Sequence, residues 1–266
     1  MEFRVFAPDP NLQPFLQGYL EADSRESKTE MAHTLFPNGF SGLFFNFGNL
    51  GKLRIKLEYA TPFVSVFGQI DQSFEAVHWP GSYSLGVLMK PTMLARFFRL
   101  NMTELTNRTQ DGVLMKKELA FLHEQLNELS TTKEKIALLD AFFLGYFKSQ
   151  RLNLTLADAA LHYLHTPNAG SIREISKQLQ VSERHLEKNF RQLVGLSPKT
   201  YSMIMRFKRV EYQLQQKRAV AWKDLDFGHE YYDQNHFIKD FKRFTGLTPS
   251  DYLLNSFSMG RSYLLR

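Results

Sequence analysis

A chain of 266 residues has room for two domains with cores of their own, and its lack of any cysteine excludes disulfides and thiolate chemistry. It shows no signal peptide and no long uncharged apolar run, so the expectation is a cytoplasmic protein with no membrane association. The net charge of +6 is held unevenly: residues 1–150 carry 15 Lys+Arg against 16 Asp+Glu, whereas residues 151–266 carry 18 against 11, which puts the basic excess in the second half, as a footprint on phosphates requires.

Up to about residue 90 the sequence reads as short strands, Leu43 to Phe47, Leu53 to Tyr59, Val64 to Gly68 and Leu85 to Met89. Turn signals separate them at Pro37-Asn38-Gly39, Gly48-Asn49, Thr61-Pro62 and Pro80-Gly81. After Pro91 the apolar period becomes helical, over Leu114 to Leu129, Lys133 to Phe147 and Leu156 to His165. Pro167-Asn168-Ala169-Gly170 interrupts it. A short helix follows over Ser171 to Leu179, opened by an S-x-x-E capping box of Ser171 and Glu174.

The stretch from Ser182 to Tyr201 is then written a second time, from Asp233 to Tyr252, without a gap. His185/His236, Lys188/Lys239, Phe190/Phe241, Gly195/Gly246, Leu196/Leu247, Pro198/Pro249 and Tyr201/Tyr252 are identical. Two copies are too few for a solenoid, so a duplicated helical module is the reading. Each copy has a polar N-cap, an amphipathic helix, a glycine stop and a new helix starting at Ser/Thr-Pro. Leu186, Phe190 and Leu193 form the apolar face of the first helix, and Phe237, Phe241 and Phe244 that of the second. The opposite faces carry Arg184, Glu187, Lys188 and Arg191 in the first, and Asn235, Ile238, Lys239 and Lys242 in the second. A short helix, a turn at Val181-Ser182 and a second helix with a basic face make a helix-turn-helix. Residues 171–218 hold 11 Lys+Arg and 4 Asp+Glu, and residues 219–266 hold 6 and 6, so the first unit is expected to supply most of the electrostatic affinity and the second to contribute register and some base contacts.

The strings S-x-R-x-L-x-K-x-F-x-x-x-x-G-x-S-P-x-x-Y at 182–201 and Y-D-Q-x-H-F-x-x-x-F-x-x-x-x-G-x-T-P-x-x-Y at 232–252 resemble the DNA-binding domain of the arabinose-regulator (AraC/XylS) family. The resemblance implies an all-α domain over 151–266, with two helix-turn-helix units joined by a long helix from Pro198 to about Gln216. The two units would read successive major grooves of double-stranded DNA. Carried over by position, the base-reading candidates are Arg184, Glu187 and Lys188, with Gln234, Asn235, Ile238 and Lys239; a solvent-facing role is the alternative for each. Arg184 or Lys188 suits guanine, Glu187 cytosine, Asn235 adenine and Ile238 a thymine methyl. Where the family usually has a glycine in the second unit this chain has Glu230, and Asp226 stands where a small apolar residue is usual, so a second unit that is weaker or differently docked is expected.

Leu35-Phe36-Pro37-Asn38-Gly39, Phe44 to Gly48, Phe67-Gly68-Gln69 and Gly86 to Pro91 resemble a domain of unknown function that precedes this DNA-binding module in other proteins. The overall expectation is therefore an α+β, two-domain chain. Residues 1–150 would form a small β-rich effector or dimerisation domain with helices, a cupin-like barrel by analogy. Phe36, Phe44, Phe47, Phe67, His78, Trp79 and Tyr83 either line a site for a small-molecule effector of unidentified class or simply fill a small core. Leu119, Leu122, Leu126 and Leu129 either form the seam of a homodimer or pack on the sheet. RNA polymerase is a further partner that the resemblance allows; no cofactor is implied.

Other classes fit less well. An alkyl-transfer repair enzyme, which shares this module, needs a thiolate that the chain lacks. Asp158, His162 and His165 have helical ligand spacing, but ordinary helix-surface roles account for them. No phosphate-binding loop or dinucleotide fingerprint is present, and the basic residues lie on helices of major-groove type, unlike the basic strands of RNA readers. Among regulators, a ligand-responsive protein and a constitutive or protein-gated one remain alternatives.

Overall fold

The computed structural model describes residues 1–54, 58–150, 153–166, 170–216, 231 and 233–256. It is an α+β chain with a β-rich N-terminal part and a helical C-terminal part. The strands are β1 (Glu2–Phe6), β2 (Leu16–Asp23), β3 (Met31–Leu35), β4 (Ser41–Gly48), β5 (Lys52–Arg54), β6 (Glu58–Ala60), β7 (Val64–Phe67), β8 (Phe74–His78), β9 (Ser82–Met89) and β10 (Thr109–Asp111). They form two antiparallel sheets, of order β1-β2-β9-β4-β7-β10 and β3-β8-β5-β6.

Side chains alternate across a strand, and here both faces of the larger sheet are covered. On β9, Tyr83, Leu85, Val87 and Met89 join the N-terminal core, while Ser82, Ser84 and Leu88 line a cavity between the two sheets. The same parity runs through β4, with Leu43 and Phe45 in the core and Phe44 and Asn46 at the cavity, and through β7, with Val64 and Val66 against Ser65 and Phe67. This double coverage explains why β9 is buried throughout.

The core face is closed by helices: α1 (Met93–Phe98), α2 (Gly112–Met115), α3 (Glu118–Glu128) and α4 (Thr132–Lys148). Leu119, Leu122 and Leu126 of α3 are buried in this core, so the alternative of packing on the sheet holds and these three cannot form a dimer seam. The helix expected over Leu114 to Leu129 is two helices, because Lys116 is extended (φ −153, ψ 102). Its ammonium lies over the rings of Phe97 and Tyr146, at 5.2 and 5.3 Å. The strand expected over Leu53 to Tyr59 is represented by β5 and β6, and its middle lies outside the described residues.

The C-terminal part contains α5 (Leu156–Leu164), α6 (Ile172–Gln178), α7 (Glu183–Val194), α8 (Pro198–Gln216), α9 (Gln234–Thr245) and α10 (Pro249–Ser256). They share a second core that includes Leu186, Phe190, Phe207, Phe237, Phe241 and Phe244. The Ser171–Glu174 capping box forms as expected: Glu174 N donates to Ser171 Oγ at 3.2 Å, and Ser171 N donates to the Glu174 carboxylate at 2.6 Å. Those bonds to Ser171 hold the exposed Glu174 carboxyl below the usual range.

Candidate nucleic-acid interface

The duplicated sequence folds twice into the same local structure. Ser182 and Asp233 cap α7 and α9, accepting from His185 N at 3.2 Å and from His236 N at 2.7 Å. Gly195 and Gly246 end the helices with φ of 95 and 76, a left-handed turn that favours glycine, and each donates its N–H to the carbonyl four residues back at 2.9 Å. Ser197 and Thr248 then cap the next helices through Thr200 N and Asp251 N. The turn between α6 and α7 uses Gln180 at φ 55, left-handed without being glycine.

The buried faces match too. Leu186, Phe190 and Val194 of α7 and Phe237, Phe241 and Phe244 of α9 are wholly buried. Leu193, expected in the first apolar face, is half-buried and sits where the two cores meet. Consequently Arg184, Lys188 and Arg191 on α7 are exposed, as are Gln234, Asn235, Lys239 and Lys242 on α9; Glu187 and Ile238 are half-buried. Glu187 holds Arg191 in an ion pair at 2.7 Å, so these two neutralise each other and leave Arg184 and Lys188 as the free cations of that helix face among its sequence-nominated residues. Glu230 and Asp226 lie outside the described residues.

Equivalent positions anchor the two helices differently. Asn189 of α7 accepts the Ala157 backbone N–H at 3.1 Å, satisfying a free donor at the start of α5. Its counterpart Asp240, buried on α9, pairs with Arg206 of α8 at 2.8 Å. Tyr201 shares a hydrogen bond of 2.8 Å with His165, and its counterpart Tyr252 donates to the buried Glu211 of α8 at 2.9 Å. Burial lowers the His165 pKa, with Lys90, Lys208 and Arg209 adding to the effect. His165 and Asp158 thus have structural partners, Asp158 capping α5 through Thr155.

Among the described residues, the helical part is joined to the β-rich part at two places. Asp158 accepts from Thr92 at 2.6 Å and pairs with Arg96 of α1, while Thr106 donates to Gly195 O at 2.7 Å. The second place is the loop before β4. Phe36 meets the Tyr252 ring at 5.6 Å and the Lys208 ammonium sits 4.0 Å over Phe40. Gly39 lies so close to α8 that an added Cβ would fall 2.3 Å from Met205 Cε. Burial lowers Lys208 to about 8.

Phe36, Asn38 and Phe40 also line the cavity between the sheets, whose volume is about 140 Å³. Of the residues expected there, Phe36, Phe44, Phe47, Phe67 and His78 line it, whereas Trp79 and Tyr83 do not. Tyr83 has the opposite parity from Ser82 and Ser84 and donates to Glu21 at 2.8 Å on the core side. Trp79 lies under the Lys52 ammonium at 5.5 Å. Phe3, His33 and Phe74 line the cavity as well, outside the expected set; His33 follows from the alternation of β3, once that strand is known.

Residues 175–255 match the family model of a helix-turn-helix domain, and residues 4–111 match that of a domain of unknown function (DUF6597). The C-terminal unit is an AraC-type helix-turn-helix domain. This AraC-type unit makes the chain a DNA-binding transcription regulator. Solved structures of ToxT from Vibrio cholerae are similar to it. An apo single-residue variant of ToxT aligns at 16% identity with a TM-score of 0.47, over 89% of this chain and 97% of that one. ToxT bound to (E)-4-(8-methylnaphthalen-1-yl)but-3-enoic acid aligns at 14% and 0.45, over 85% and 98%. ToxT bound to an unsaturated fatty acid aligns at 16% and 0.44, over 85% and 94%. No curated protein sequence matches the chain.

Proposed function

We propose that α7 and α9 enter successive major grooves of one duplex and that occupancy of the cavity between the sheets controls this binding. The division falls near residue 150, with the sensor before it and the reader after it. The observation that carries the DNA reading is the duplication itself: two helices with the same cap, the same buried face and the same glycine stop present their exposed polar faces from one shared core. Arg184 and Lys188 are suited to guanine, Asn235 to adenine, Lys239 to guanine or phosphate, and Ile238 to a thymine methyl. Glu187, Arg191, Gln234 and Lys242 flank them for further base or phosphate contact.

Control by the N-terminal part is supported by the loop from Phe36 to Phe40, which touches the cavity on one side and α8 and α10 on the other. A ligand that displaces Phe36 or Phe40 acts on the helix that joins the two readers. That favours the ligand-responsive reading over the constitutive one. The test is operator binding by Arg184→Ala on DNA selected by the purified chain. A base contact predicts a loss of about 1–3 kcal/mol with altered base preference at one position. An equal loss on every DNA sequence would mean phosphate contact, and no loss would remove α7 from the interface.

A further inference from the structure

We propose that the cavity's ligand is a small uncharged aromatic molecule bearing one hydroxyl group, its ring among the phenylalanines and its hydroxyl paired with the His33 imidazole. This rests on reading the cavity as the effector site and adds the class of molecule it takes.

Size and walls set the apolar part. A volume of about 140 Å³ is close to that of engineered cavities of about 150 Å³ that hold benzene, so one ring with a small substituent fits. Phe3, Phe36, Phe44, Phe67 and Phe74 line it from both sheets, and aromatic pairs favour edge and offset contacts with a bound ring. Among the polar side chains of the wall, which include Asn38, Asn46, Ser65 and Ser84, two histidines stand together. His33 and His78 are diagonal neighbours on β3 and β8, since Met31 pairs with His78 and His33 with Ala76. Their rings stack at 4.9 Å, and Phe3 meets both edge-on, at 5.1 and 6.3 Å. Among the described residues, His33 Nδ1 is buried with no hydrogen-bond partner, and so is Ser82 Oγ on the facing sheet.

An unpaired buried nitrogen is costly, and the ligand that removes the cost is the one whose chemistry matches it. Burial keeps both imidazoles uncharged, lowering His33 to about 3 and His78 to about 4. A neutral imidazole has one donor and one acceptor nitrogen; a hydroxyl both donates and accepts, so it satisfies Nδ1 in either tautomer. A carboxylate only accepts, and it brings a charge. Among the described residues Lys52 is the one charged side chain at the cavity, and its ammonium lies over Trp79. A plain hydrocarbon fills the walls but leaves His33 unpaired.

Titration calorimetry on the full chain with phenol, toluene and benzoate tests this. Phenol is expected to bind about tenfold more tightly than toluene, with benzoate weakest. His33→Leu is expected to abolish the preference for phenol while toluene still binds, which also shows that the variant is folded. Benzoate binding as tightly as phenol, an unchanged preference in His33→Leu, or no binding of phenol by the wild type would each overturn the proposal. Operator affinity separates this from the effector reading. If Ala76→Leu, which narrows the cavity, changes operator affinity while phenol does not bind, only the ligand class fails. If phenol binds as described and operator affinity does not move, the ligand class stands and the effector reading fails.

Discussion

The two copies of the module share a backbone and differ in what they are fastened to. The first copy is tied to the β-rich part through Thr106 and Gly195 and to α5 through Asn189. The second is tied to α8 through a buried carboxylate, Asp240, and through the Tyr252–Glu211 bond. Their exposed faces differ in the same way, two free cations with a Glu187–Arg191 pair on α7 against amides, Ile238 and two lysines on α9. Duplication preserves what folding needs, namely the cap, the buried apolar face and the glycine stop. The anchors and the reading face are where the copies have diverged, so each copy can be broken separately.

The largest effect expected is common to both. Phe190→Ala or Phe241→Ala should each cost about 3–5 kcal/mol in urea unfolding, because both rings are fully buried and leave cavities. A much smaller loss in one copy would mean that its helix is not part of the shared core. The anchors separate the copies next. Asp240→Ala leaves Arg206 without its ion-pair partner and should cost about 3 kcal/mol in urea unfolding, by analogy with broken buried ion pairs; Asn189→Ala, which loses one neutral hydrogen bond, should cost about 1 kcal/mol in the same assay.

DNA affinity divides them in the opposite sense. Lys188→Ala should weaken operator binding by about 1–3 kcal/mol and Lys239→Ala by less, measured by fluorescence anisotropy at fixed salt. The reverse order would make the second copy the main reader. A pH effect concerns the helix that bridges them. Lys208 has a folded pKa of about 8, below its unfolded value of 10.5, so the unfolded chain binds more protons between those limits and stability rises with pH across that window. Lys208→Met should flatten that slope.

The helical half was legible in the sequence because caps, glycine stops and a 3.6-residue period are local signals: the Ser171–Glu174 box and the phenylalanine face of α9 fold as they read, whereas on α7 Val194 is fully buried and Leu193 only half-buried. The β-rich half was legible only in part. β4, β7 and β9 are marked by apolar runs between turn residues, whereas β2 carries a buried Glu21 that is held by Tyr83 and Arg4 from other strands. Pairing across 62 residues leaves no local pattern. Most of the residues on the polar faces of α7 and α9 are exposed, with Glu187 and Ile238 half-buried, while the cavity needs strand parity: Tyr83 takes the core-filling alternative on β9, and His33 is legible only once β3 is known.

The most direct test is base-preference mapping on a selected operator with the wild type, Lys188→Ala and Lys239→Ala side by side. Two readers on one duplex predict that each variant relaxes preference in its own half-site, the two centres lying about one helical turn, ~10 base pairs, apart. Relaxation at the same position by both variants, or a uniform loss with no change in preference, would contradict it.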